Sequence, residues 1–286
     1  MFGQNEIVGQ KFFKEAGSKL LVTSRFRTLQ GEGPYTGLPA FFVRFAKCNL
    51  ACSFCDTYFD SGTWFTISEM VDEIERELQK SFNNTVPLWA QLRPRRKMVL
   101  VVTGGEPTLQ SNLLPFLAVM NQMFYHTQIE TNGIIDILVP DETTVVCSPK
   151  CIEKDGKAVK YHKPNPSTLT RANCLKFVIS ADLDSPYHTV PEWALDWSDR
   201  TGREIFVSPM NIYQHEPKKA KELRATKQGK DITLEERSTV DEVISFWEPG
   251  LLNMEANKRN HEYAAWYAIN NGLRMGVQLH LLASVA

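Results

Sequence analysis

Apolar residues along this chain gather in six short runs, at residues 40–45, 98–102, 127–131, 144–147, 174–180 and 204–207, each closing in small or polar residues. Runs of that length bounded by turn chemistry predict buried strands. Between them lie segments with helical spacing. Residues 113–123 carry the apolar positions of a helix covering a sheet. Thr66-x-x-Glu69 is a capping box ahead of Ile67, Met70, Val71, Ile74 and Leu78 on one helical face. Strand, glycine-containing loop and helix recur in that order. The recurrence predicts a mostly parallel α/β sheet with one functional edge at the carboxyl ends of its strands.

The flanking segments read differently. Residues 20–27 alternate apolar and polar as a half-buried strand does, and they run into Thr28-Leu29-Gln30-Gly31-Glu32-Gly33-Pro34, a glycine-punctuated turn. Residues 1–17 are polar and mixed, an N-terminal extension expected on the surface, and residues 82–96, with Pro87, Arg93, Pro94, Arg95 and Arg96, read as an exposed connection. From residue 211 to 272 charges of both signs are dense. A charged helical insertion is expected over 211–260, before the last strand. One helix spans 233–247, stopped by Pro249, and a second spans 251–271, stopped by Gly272. The last apolar strand is expected over 273–282. With no internal repeat or low-complexity tract, residues 1–286 read as a single domain.

Composition narrows the function classes. A chain of 286 residues with 43% hydrophobic and 23% charged content is ordinary globular material. A formal net charge of -1 gives no overall reason to bind nucleic acid or an anionic membrane, which leaves only local basic patches to do so. No apolar run of about 18 residues occurs, so neither a signal peptide nor a membrane span is expected, and the protein reads as cytoplasmic. Six cysteines in so large a chain point to reduced thiols rather than a disulfide framework.

Half of those cysteines form Cys48-x3-Cys52-x2-Cys55, just after the first core run. Three thiolates so close together can chelate one metal centre, but a closed zinc or ferredoxin site wants four ligands. An open coordination position is implied, against the plainer reading of a structural zinc knuckle. Gly104-Gly105-Glu106-Pro107 closes the second run and, taken alone, is a strand-to-helix turn in which Glu106 favours a helix N-terminus. Arg44 lies inside an apolar run, where a guanidinium is costly unless it faces an anion or snorkels to solvent. Cys147, Cys151 and Cys174 lack ligand spacing and read as packing residues, and His280 as a core histidine or a pocket residue.

The cysteine loop resembles that of the radical S-adenosylmethionine (SAM) enzymes, and Gly104 to Pro107 looks like their glycine-rich SAM motif. Narrower matches resemble the 7-carboxy-7-deazaguanine synthase family: the turn at 28–33, Arg44, Cys55-Asp56-Thr57, Glu130-Thr131-Asn132-Gly133, Ser148-Pro149-Lys150 and the Gln278-x-His280 tail. The resemblance implies an incomplete parallel (β/α) barrel of about six strands. It implies a [4Fe-4S] cluster on Cys48, Cys52 and Cys55 whose unique iron binds SAM. The reduced cluster then cleaves SAM to a 5'-deoxyadenosyl radical that removes the C6 hydrogen of 6-carboxy-5,6,7,8-tetrahydropterin; the ring contracts, ammonia leaves and SAM is regenerated. By the same resemblance Phe54, Cys55, Asp56 and the backbone at Gly105 lie against SAM, with Ser148, Pro149 and Lys150 further out and Ser208, Pro209, Met210 and Asn211 on its adenine side. Substrate is expected against Leu29, Gln30, Gly31, Arg44, Thr103 and the terminal carboxylate of Ala286, and Mg2+ on Thr57. An electron donor such as flavodoxin and a homodimer are implied partners, with no direct contact to nucleic acid or membrane. The chain departs from the family at Ser208 and in Gln278-Leu279-His280-Leu281.

Two other classes stay open on the sequence. A radical SAM activase that makes a glycyl radical on a partner protein would share the cluster loop. A non-enzymatic metal-binding or partner-binding module would use the charged segment at 211–260 as its interface.

Overall fold

The computed structural model describes residues 7–13, 17–57, 59–79, 98–213, 252–279 and 282. The connection at 82–96, the helix at 233–247, His280 and Ala286 lie outside these residues. In chain order the strands are β1 (Lys19–Leu29), β2 (Pro39–Phe45), β3 (Thr63–Thr66), β4 (Val99–Gly104), β5 (His126–Thr131), β6 (Thr144–Cys147), β7 (Cys151–Lys154), β8 (Lys157–Tyr161), β9 (Cys174–Ile179), β10 (Ile205–Pro209) and β11 (Arg274–Met275). The helices are α1 (Ile67–Gln79), α2 (Leu113–Met123), α3 (Pro166–Arg171), α4 (Glu192–Thr201) and α5 (Met254–Asn271).

Nine strands form one sheet in the order β11-β10-β9-β6-β5-β4-β2-β1-β3, and β7 and β8 pair as a separate hairpin. From β2 to β11 every neighbouring pair is parallel. The six predicted apolar runs are six of those parallel strands. β1 and β3 add an antiparallel edge that the expected count of about six strands omits. The described sheet is open, with β11 and β3 at its two edges. It is nevertheless strongly curled: Glu32, just past β1, reaches Lys176 on β9 although β2, β4, β5 and β6 intervene.

Local chemistry explains the boundaries. Thr66 and Glu69 close the capping box reciprocally, the Glu69 carboxylate accepting from Thr66 N at 2.7 Å and Thr66 Oγ1 accepting from Glu69 N at 3.2 Å. Met70 and Ile74 then bury the inner face of α1. The helix α2 occupies the predicted span and packs Phe116, Leu117 and Met120 on the core, with Phe116 edge-on to Phe45 of β2. α5 begins three residues later than expected, because Asn253 accepts from Ala256 N at 3.0 Å and caps it. It ends at Gly272 in the left-handed region.

Two expectations are corrected. Among the described residues the last strand is Arg274–Met275, shorter than the expected 273–282; Gly276 still donates to Val207 O at 2.8 Å, after which Gln278 turns into the cavity described below. The N-terminal extension does not simply lie on the surface. Phe13 is buried with Leu21, Ala46 and Leu109, and Val8 N donates to Cys48 O at 2.8 Å.

The inner face of α5 buries two asparagines where an amphipathic helix would bury apolar side chains. Asn260 donates to Met210 O at 2.7 Å and accepts from Ala181 N at 2.8 Å, and Asn257 accepts from Ile212 N at 2.6 Å. These bonds satisfy backbone groups beyond the ends of β9 and β10. Asn260→Leu strands the buried Met210 carbonyl and the half-buried Ala181 N–H, so unfolding experiments should show a loss on the order of 2 kcal/mol.

Candidate active site

Every parallel strand from β2 to β10 delivers residues to one cavity, and the chain's chemistry-bearing groups meet there. The cysteine loop enters first. At its start Lys47 is buried and left-handed (φ 73°), its N–H bonded to Phe59 O at 2.6 Å and its ammonium 5.4 Å from the Phe12 ring. Cys48 is buried, Cys52 and Cys55 are half-buried, and none of the six cysteines is in a disulfide. Cys48 Sγ accepts from Leu50 N at 3.4 Å. Burial pushes the Cys52 thiol up to about 11 against the pull of Lys150. Burial and then Asp56 push Cys55 up to about 12. Burial, with Glu106 behind it, drives Cys48 upward too. Metal binding at these sulfurs therefore displaces protons.

Opposite the loop, Gly104 and Gly105 bring the end of β4 against it. A Cβ on Gly105 would overlap the Lys47 carbonyl oxygen, and one on Gly104 (φ 121°) would overlap Phe45 N and O. Only glycine fits either position. The buried Glu106 carboxylate accepts from Thr108 N at 3.0 Å, Thr108 Oγ1 at 2.6 Å, Thr131 Oγ1 at 2.7 Å and Asn132 N at 2.8 Å. It caps the turn, as its place in the sequence implies, and it also fastens the end of β5.

Most residues singled out in the sequence line this cavity. Cys48, Cys52, Phe54, Cys55, Asp56 and Thr57 form one wall; Thr103 and Gly105 lie beside it; Ser148, Lys150, Ser208, Pro209 and Asn211 form the far wall; Gln30, Gly31 and Arg44 complete it. Leu29, Pro149 and Met210 stand outside the walls, Met210 being buried against Cys151 and Tyr187. The Arg44 guanidinium stacks over the Phe26 ring at 4.8 Å. Thr57 Oγ1 donates to Asp56 Oδ1 at 3.1 Å. Lys150 donates to Ser148 O and Oγ at 2.7 and 2.6 Å, and burial holds its pKa below the ordinary lysine value. A relay crosses the mouth: Asn211 Nδ2 donates to Gln278 Oε1 at 2.6 Å, and Gln278 Nε2 to Asp56 Oδ2 at 3.3 Å.

Several wall residues escape the sequence reading. Lys176 is buried, and it donates to Glu130 at 2.7 Å and to Glu32 at 3.0 Å. Burial works to lower its pKa, but the two carboxylates outweigh burial and raise it. Glu130 also accepts from Gln30 Nε2 at 3.2 Å and Gln128 Nε2 at 3.0 Å. A lone cation inside the apolar run 174–180 is the same signal that marks Arg44, and it could have found Lys176. Tyr213 is a further wall residue.

The residues fit an iron–sulfur cluster and SAM. Cys48, Cys52 and Cys55 share one wall of the cavity with no disulfide among them. A cluster's cysteines bind separate irons. Ser208 Oγ, buried in the far wall, has no partner among the described residues and is left for a ligand. Three free cysteines facing a glycine-lined approach at the carboxyl ends of a parallel sheet define an enzyme of the radical SAM class.

No protein-family model matches the chain. It is 36% identical over 193 residues to the 7-carboxy-7-deazaguanine synthase of Rickettsia prowazekii, covering 67% of this chain and 74% of that protein. It is 32% identical over 215 residues to the synthase of Rhodospirillum rubrum, covering 74% and 79%. The crystal structure of QueE from Escherichia coli superposes with a TM-score of 0.52 at 19% identity, covering 96% of this chain and 99% of that one, a likeness of fold. The chain belongs to the 7-carboxy-7-deazaguanine synthase family. That membership sets aside both the activase and the non-enzymatic module. Among the described residues no helix is long and apolar enough to cross a membrane.

Two outcomes follow from this geometry. Gly105→Ala should push the cysteine loop off its seat, lowering iron uptake on anaerobic reconstitution by more than half while the far-ultraviolet spectrum stays native. Lys176→Met leaves two carboxylates facing each other, at a cost of about 3 kcal/mol near pH 8. In the wild type the raised lysine pKa keeps this contribution intact until pH climbs past the ordinary lysine range. Denaturant melts of wild type and variant at pH 8 should show that deficit.

Proposed function

We propose that this cavity converts 6-carboxy-5,6,7,8-tetrahydropterin to 7-carboxy-7-deazaguanine with loss of ammonia, a carbon–nitrogen lyase step of 7-deazaguanine (queuosine-type) biosynthesis. The observation that carries the reading is convergence: three free cysteines, an approach only glycine permits and a cationic wall at Arg44 share one cavity. The curled open sheet is read as the incomplete barrel of the class.

Cys48, Cys52 and Cys55 hold the [4Fe-4S] cluster, and when bound, cluster and SAM together supply a hydrogen-abstracting carbon radical. The protein's part is to position, shield and tune. Phe54 and Asp56 flank SAM at the cysteine loop, and the bare backbone at Gly105 receives its methionine end. Ser148 and Lys150 hold it further out, Lys150 presenting a positive charge locked by two bonds to Ser148, with Pro149 between them outside the wall. Ser208, Pro209 and Asn211 face the adenine side, where the unpartnered Ser208 hydroxyl offers a hydrogen bond, while Met210 backs that wall from the core.

Gln30, Gly31, Arg44 and Thr103 take the pterin, with Leu29 outside the wall behind them. Arg44 binds the substrate carboxylate, because its guanidinium lies in the cavity wall stacked on Phe26 and a planar guanidinium matches the geometry of a carboxylate. Thr57 offers a hard oxygen to Mg2+ beside that carboxylate. From the family likeness the reading further takes in a homodimer, a cytoplasmic setting and an external electron donor such as flavodoxin.

Anaerobic reconstitution tests the whole. About four irons per chain and product formed from the carboxytetrahydropterin are expected; zinc retention without SAM cleavage overturns the activity. In the same assay Thr57→Ala should keep its iron and lose Mg2+ stimulation, and retained stimulation removes Thr57 as the ligand.

A further inference from the structure

We propose that the outward face of the β7–β8 hairpin is the docking surface for an acidic one-electron carrier protein that reduces the cluster. The proposal rests on the activity proposed above, because that activity draws single electrons from outside the chain.

Position comes first. The hairpin is bonded to the cysteine loop between two of its cysteines: the Glu153 carboxylate of β7 accepts from Ser53 N at 2.9 Å and from Ser53 Oγ at 3.1 Å. Beside that contact the Phe54 ring meets Tyr187 edge-on at 5.0 Å, and Cys151 N donates to the Tyr187 hydroxyl at 2.8 Å. Loop and hairpin are therefore joined side by side, and Ala51 of the loop is exposed beside the contact.

Charge comes second. Glu153 is spent on Ser53, so the hairpin turns three exposed lysines outward, Lys154, Lys157 and Lys160, against a single exposed carboxylate at Asp155. None of the three lysines sits in an ion pair among the described residues, so their charge is not cancelled by a neighbouring carboxylate as it is for Arg259 with Glu255, Lys258 with Glu262 and Arg274 with Glu204. In a chain of net charge -1 this positive face is local. Val159, 49% exposed on β8, lies among the lysines and supplies a small apolar centre inside a charged rim. Weak electron-transfer encounters have that make-up: little buried area, and opposite charge that steers approach and orientation. The face is rigid enough for the task, since Asp155 (φ 50°) and Gly156 (φ 74°) form the two-residue turn that matches strand twist.

The test compares two reductants on the reconstituted enzyme. A variant carrying Lys154→Glu, Lys157→Glu and Lys160→Glu, with the milder triple Lys→Gln as a control for folding, is assayed with dithionite and with reduced flavodoxin. Dithionite-driven turnover should stay within twofold of the wild type. The KM for flavodoxin should rise at least tenfold in the Glu variant and less in the Gln variant, and its dependence on salt should flatten. Unchanged flavodoxin kinetics overturn the proposal. So does an equal fall with both reductants, and so does tight binding of RNA or anionic vesicles to these lysines with flavodoxin kinetics intact. If neither reductant yields product from the wild type, the activity is what has failed. Titration of flavodoxin against the cluster-loaded wild type and variant then decides docking by itself, a lysine-dependent affinity supporting it and an equal affinity overturning it.

Discussion

The backbone at Gly104 and Gly105 runs against that of residues 45–48 more closely than any side chain would allow, and the parallel ladder between β2 and β4 continues through it. Gly105 N donates to Phe45 O and Glu106 N to Lys47 O, both at 2.9 Å. The cysteine loop is thereby held by main-chain bonds before any cluster binds. Lys47 bears the conformational cost, since a non-glycine residue in the left-handed region persists only where its surroundings over-determine it. Its bonds to Phe59 and Glu106, and Phe12 above its ammonium, are those surroundings. From Glu106 the constraint spreads to β5, whose end is tied by two further bonds to the same carboxylate. One glycine pair thus sets the spacing of three strand ends, and a radical site needs its parts at fixed separation.

A second constraint lies across the cavity. Lys176, Glu32 and Glu130 put three ionisable groups where water is scarce, and such a cluster is costly unless every member finds its partner. The return is geometric. Glu32 can reach Lys176 only if the sheet curls and the turn after β1 folds over, with Gly31 backed against Gln278 and Leu279 and with Tyr35 bonded to Thr144. A slip in register would leave a buried charge alone, so the ion cluster selects the curled arrangement.

Much of this was legible in the chain itself, for physical reasons. Runs buried on both faces are continuous and short, which is why β4, β6 and β9 fall almost where their apolar residues begin and end. The capping box at Thr66 and the glycine stop at Gly272 act through nearest neighbours and survive any tertiary context. The elements that were missed depend on distant partners. β3 has four residues, too few to show a period, and exists because β1 offers an edge. The β7–β8 hairpin carries the Asp155-Gly156 turn signal, but its lysines mask the alternation that would announce a strand. The tail after Met275 is apolar enough to read as strand, yet Gln278 has polar partners in Asn211 and Asp56 and leaves the sheet to meet them. Lys176 carries in its apolar run the same signal as Arg44, but that pattern speaks only for a buried cation and says nothing of the two carboxylates it faces, which come from distant parts of the chain.

The charged segment between β10 and α5 departs from the scaffold at a point prepared for it. Tyr213 bridges Leu252, and Asn253 N donates to Ile212 O at 2.9 Å, so the chain leaves and re-enters through adjacent residues. Asn257 and Asn260 then fasten the same loop to α5. The wall formed by Ser208, Asn211 and Tyr213 therefore has its geometry set by β10 and α5, independently of how many residues lie between them. The site can stay fixed while that segment varies in length and sequence.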